Sequence, residues 1–212
     1  MQRFVRLFGS YAMIEEKEQQ VVSEDHWNKG LSYENYRALI SRLLALNQTT
    51  GQDHSEKMIE YTQLNEKRMN KWDKITKIST ELQQKVKAID TKQRWLVLTE
   101  AWCGDAAQNL PVIHQIVALN SNIELRLILR DENLDVMDAY LTNGGRSIPK
   151  LIMLDEQLNP INTWGPRPAP VQEILKEMKA GDITYDEFAI KAHTWYAKDK
   201  SLSLQKEIYS LL

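Results

Sequence analysis

An α/β domain with helical additions at both ends is the fold class this chain predicts, and three observations predict it. Two short apolar runs, 95–99 and 123–129, read as buried strands. The stretch between them has helical spacing, with Ala106, Leu110, Ile113 and Val117 on one face. Two further runs, 150–154 and 161–164, flank a turn and precede a helix over 170–180 that Gly181 stops. With a shorter helix over 134–141, ended by Asn143-Gly144-Gly145, the order is β-α-β-α-β-β-α. That alternation implies a central mixed sheet of about four strands flanked by helices.

The flanking segments justify the rest of the plan. Residues 1–30 are polar and aperiodic beyond a basic opening, and read as a tail or loosely docked arm. Arg3 and Arg6 interrupt that opening, so it lacks the apolar centre of a secretory signal, and Met13 is a candidate start. From Ser32, a plausible N-cap, Tyr36, Leu39, Ile40, Leu43 and Leu44 mark one helix face. Asp53 with Glu56 resembles a capping box that opens a long second helix over 55–89. Its stripe is Met69, Trp72, Ile75, Ile78, Leu82, Val86 and Ile89, with lysines on the solvated back. Residues 31–90 thus form a helical hairpin before the α/β unit at 91–181. Residues 182–212 add C-terminal helices, the first opened by a capping box of Thr184 and Glu187.

Composition narrows the function. With 27 Lys+Arg against 29 Asp+Glu the net charge is −2, which argues against a nucleic-acid binder. No apolar run approaches the length that spans a bilayer, so no membrane role is expected. The one cysteine, Cys103, excludes an intramolecular disulfide and a multi-thiolate metal site, and a cytoplasmic location follows. The four histidines have no metal-ligand spacing, and His114 lies eleven residues beyond Cys103, about 16 Å by helical rise. No metal and no cofactor is expected.

Cys103 sits between a buried strand and the first turn of a helix. Unpaired N–H groups and the helix dipole favour a thiolate there, and an inert cysteine buried as a small apolar residue is the alternative that the position alone leaves open. Around it, Trp102-Cys103-Gly104-Asp105-Ala106 resembles the Trp-Cys-Gly-Pro-Cys active-site segment of the thioredoxin superfamily. Pro111 falls where thioredoxins kink this helix, and Ser147-Ile148-Pro149 resembles their cis-proline loop. The resemblance covers residues 94–181, without the first strand of a full thioredoxin. It is similar to that of bacterial thioredoxin-like proteins carrying Trp-Cys-Gly-Asp-Ala.

The resemblance implies that Cys103 is the nucleophile, that Trp102 flanks and shields it, and that Gly104 permits tight entry into the helix. It also implies a cis Pro149 and an Ile148 backbone that pairs with an extended substrate. The departures matter as much: Ala106 replaces the resolving cysteine, Val97 replaces the buried aspartate, and Asp105 replaces a proline. Asp105 either serves its helix turn or acts at the site, where its charge opposes thiolate formation. Arg167 could lie near the site, and Arg130 and Lys150 are candidate contacts for an acidic thiol. Two functions remain. One is a monothiol thiol–disulfide oxidoreductase, or thiol transferase, passing through a mixed disulfide at an accessible, low-pKa Cys103. The other is a non-catalytic binding module using the Trp102/Pro149 groove. The partner is a small-molecule thiol or a protein disulfide or peptide segment.

Overall fold

The computed structural model describes residues 20–212. The basic opening, the secretory-signal argument and Met13 lie outside them. Four strands make one sheet in the order β2-β1-β3-β4: β1 (Gln93–Thr99), β2 (Ile123–Leu129), β3 (Lys150–Asp155) and β4 (Pro160–Trp164). β1 runs parallel to β2 and antiparallel to β3, and β4 is antiparallel to β3. The central strand is buried along 95–99, as an unbroken apolar run requires, whereas the edge strand β4 opens on a proline and is half-exposed. The outer edge of β2 is met by one antiparallel bridge, Leu31 to Leu127, with both N···O distances 2.8 Å. That bridge stands where the missing first strand would pair.

α5 (Gly104–Val117) leaves β1 through Cys103 and continues across Pro111. α6 (Leu134–Ala139), α7 (Ala169–Ala180), α8 (Tyr185–Asp199) and α9 (Leu202–Leu211) complete the second half. Gly181 caps α7 in the left-handed region, and Thr184 with Glu187 forms the anticipated capping box. The peptide bonds Ile148–Pro149 and Gly165–Pro166 are cis. Gly165 has φ +122°, and a Cβ there would stand 2.2 Å from the Pro149 carbonyl oxygen, so only glycine lets the end of β4 pass this loop.

The N-terminal half corrects three expectations. Residues 20–31 are docked rather than loose: Val22, before α1 (Glu24–Lys29), and Trp27 within it are buried, with Arg94 and Arg126 over the indole. α2 (Tyr33–Ala45) starts at Ser32 as expected. The single helix over 55–89 is two helices, α3 (Glu56–Ile75) and α4 (Thr80–Lys87). The β-branched run Ile75, Thr76, Ile78 weakens the helix. Ser79 then caps a new one, accepting from the Leu82 N–H at 3.3 Å. The stripe keeps its phase across this break, so periodicity alone does not reveal it. The Asp53–Glu56 capping box is absent; Asp53 Oδ1 accepts from the Ser55 N–H, and Ser55 precedes the helix.

One core joins the sheet to α1 through α6 and α9. A smaller cluster of Val171, Phe188, Ala192 and Tyr196 holds α7 to α8. Among the described residues no helix is long and apolar enough to cross a membrane.

Candidate functional site around Cys103

Cys103 is the N-cap of α5, and its sulfur accepts from the Ala106 N–H at 3.4 Å. The same sulfur donates to the Ile148 carbonyl oxygen at 3.3 Å, a bond only the protonated thiol can make. The residue is 8% exposed. Burial pushes the thiol up to about 12; the Asp105 charge adds to this, and the helix-start N–H groups and Arg167 pull against it. At this site desolvation outweighs the helix start, opposite to the low pKa a resting nucleophile needs.

Cys103 lines a cavity of about 320 Å³. Trp102, Cys103, Gly104, Asp105 and Ile148 form its floor, and residues of α7 and α8, among them Phe188 and His193, roof it. With Arg130 and Arg167, which also line it, seven sequence-predicted residues are thus brought to one space, while Pro149 is the cis residue beside Ile148. The Trp102 ring carries the Arg130 guanidinium, 4.9 Å from its centroid. Lys150 is not part of this wall; it is buried, lined up with Thr142 at 3.4 Å, and its pKa is lowered by burial.

The roof is tied down by polar bonds. Asp105 Oδ2 receives Arg167 Nε and Nη2, each at 2.7 Å, and Oδ1 receives the Tyr196 hydroxyl at 2.8 Å. The Asn109 amide also reaches Tyr196, at 3.1 Å. Both carboxylate oxygens of Asp105 are therefore engaged by the roof, and with them the position where thioredoxins have proline. Gly104 has a use other than tight entry: a Cβ there would meet His193 Cε1 at 3.1 Å and Nε2 at 3.3 Å, with Arg68 Nη1 at 3.7 Å. His114 lies elsewhere, stacked on Tyr33 with centroids 4.4 Å apart.

Arg68, His193 and Glu100 are the site neighbours that sequence reasoning missed. Tyr61, Asn65, Arg68 and Trp72 recur at steps of four, three and four, a stripe that marks them as one inward face of α3. Asn65 is buried and donates to the Ala101 carbonyl at 2.9 Å, tying α3 to the cysteine loop. No comparable pattern surrounds His193. Glu100 is fully buried at the end of β1, where its Oε1 accepts from the Asp131 N–H at 3.0 Å. Its backbone oxygen accepts from the Cys103 N–H at 3.1 Å.

Comparisons agree with this architecture. In solved structures the chain is similar to a protein of unknown function from Pseudomonas aeruginosa, at 19% identity and TM-score 0.52, covering 85% of this chain and 96% of that one. It is also similar to an HIV epitope-scaffold at 21% identity and TM-score 0.50, covering 85% and 97% respectively. These likenesses speak to the fold. No curated protein matches the chain. A family model described as thioredoxin matches residues 51–179, more than half of the chain and all of the cysteine loop, sheet and α3. The chain belongs to this thioredoxin family.

Proposed function

We propose that this protein is a binding member of the thioredoxin family, holding a small ligand in the roofed cavity over Cys103, without disulfide-reducing turnover. The observation that carries this reading is the thiol itself: buried, protonated, and donating to Ile148. In the superfamily pattern the Ile148 backbone pairs with an extended substrate. Here its carbonyl is taken up by the sulfur, and α8 stands over it. A cavity of about 320 Å³ suits a small molecule, not a peptide strand. Loss of a resolving cysteine, with Ala106 in its place, suits the same reading. A single free cysteine also suits a reducing compartment, and we place the protein in the cytoplasm.

One observation favours a second reading, monothiol exchange: Cys103 caps α5 and lines the cavity. In that reaction the Cys103 thiolate attacks a disulfide and forms a mixed disulfide, the other half leaves as a thiolate, and a second thiol later releases the bound half. One experiment separates the two: iodoacetamide alkylation of the native protein across pH, with Cys103→Ser as the blank. The binding reading expects slow labelling at neutral pH, a rate that keeps rising above pH 9, and rapid labelling once the chain is denatured. Fast native labelling with a midpoint below about 8 overturns it in favour of exchange.

A further inference from the structure

A second cavity of about 740 Å³ lies between α3 and α8. It shares Tyr61, Trp102, Gly104, Tyr185 and His193 with the cavity over Cys103, so the two adjoin. Where they meet, hydrogen-bond donors converge without a matching acceptor. His193 is oriented by a relay. Trp72 Nε1–H only donates, so the Gln108 atom that it meets is the carbonyl oxygen. That turns the Gln108 amide nitrogen toward His193 Nδ1, 3.0 Å away. Nδ1 is therefore an acceptor, and the neutral ring carries its proton on Nε2. Burial, with Arg68 close by, pushes His193 down to about 4, so this tautomer holds at physiological pH.

The Nε2–H edge and Arg68 Nη1 reach the same spot, 3.3 and 3.7 Å from where a Gly104 Cβ would be. Arg68 is half-buried, and its pKa is lowered by that burial. Its hydrogen bond is to the neutral Asn65 Oδ1, at 2.7 Å, and among the described residues it has no carboxylate within 4.0 Å. The Asp105 charge acts on Arg68 from a distance, but both its oxygens are bonded to Arg167 and Tyr196, and Asp186 is exposed beside the cavity. A desolvated guanidinium beside a fixed N–H donor gains most from an oxyanion.

We propose that Arg68 and His193 form a subsite for the carboxylate or phosphate group of the small molecule whose other end lies over Cys103. This rests on the reading of the roofed cavity as a ligand site. Inorganic phosphate and succinate, titrated separately at constant ionic strength and followed by NMR, test it. One of the two saturates, with shifts centred on Gly104, Arg68 and His193, and which one does so identifies the group. Arg68→Gln weakens that binding about tenfold or more, as expected for a lost charged hydrogen bond. Arg68→Lys keeps the charge and restores part of the binding. Arg42→Gln, on α2, leaves it unchanged. Thermal unfolding of each variant is read beside its affinity, so that a folding defect is not mistaken for lost binding. Absence of saturation by either anion in the folded wild type, or equal affinity in folded Arg68→Gln, overturns the subsite. The two proposals fail separately. Anion binding through Arg68 alongside fast neutral-pH alkylation keeps the subsite and removes the non-catalytic reading. Slow alkylation with no anion binding does the reverse.

Discussion

Glu100 shows how much a single side chain contributes to this loop. Burial pushes its carboxyl above the ordinary range, so it holds a proton that an unfolded glutamate releases near pH 4.5. With the folded pKa raised, the stabilising contribution is complete below the unfolded value and is lost as pH rises through the folded one. Glu100→Gln keeps the Oε1 acceptor for the Asp131 N–H and removes the titration. Urea unfolding of both proteins at pH 5 and pH 8 is therefore expected to show the variant gaining on wild type at the higher pH; a constant difference between the two would falsify this. Glu100 was not legible beforehand, because one acid after a strand looks like any loop acid until its burial is known. Cys103 and Trp102 were legible, since the chemistry of a helix start after a strand is written in adjacent residues.

Gln205 does at the element scale what no local pattern announces. It is 2% exposed in α9, yet its Oε1 accepts from the Ser79 N–H at 2.8 Å and its Nε2 donates to the Lys77 carbonyl at 3.0 Å. The linker between α3 and α4 thus gets its backbone partners from a helix more than 120 positions later. Gln205→Ala leaves two such groups unpaired and is expected to cost about 2–6 kcal/mol in denaturant unfolding, against about 1–3 kcal/mol for one. A loss of a few tenths would show that the linker is held without it. The strands and α5 were readable because buried runs and one-faced spacing are local signals. The break in the long helix was not, because its apolar stripe stays in phase from Trp72 to Leu82. Trp27 was missed for a related reason: one aromatic in a polar stretch has no period, and its burial is decided by β2 and the arginines beside it.

For the whole molecule, the main division is between the large core and the small cluster that joins α7 to α8. Hydrogen bonds through Asp105, Asn109 and Gln108 secure this roof to α5, apart from the large core, so loosening them is expected to uncover Cys103 while the sheet stays folded. Tyr196→Phe removes the hydroxyl shared by Asp105 and Asn109 and is expected to speed native alkylation of Cys103 about tenfold, for a loss near 1.4 kcal/mol. The global unfolding midpoint should move little; a large drop with unchanged labelling would show that Tyr196 braces the core instead. A mixed sheet of about four strands was legible in the sequence, but its spatial order β2-β1-β3-β4 was not, and neither was the roof, because its ties join residues 62 to 91 positions apart. That separation has a consequence for biosynthesis. A ribosome finishes the cysteine loop well before it makes the helices that cover it, so each nascent chain passes through an interval with Cys103 uncovered and open to oxidants.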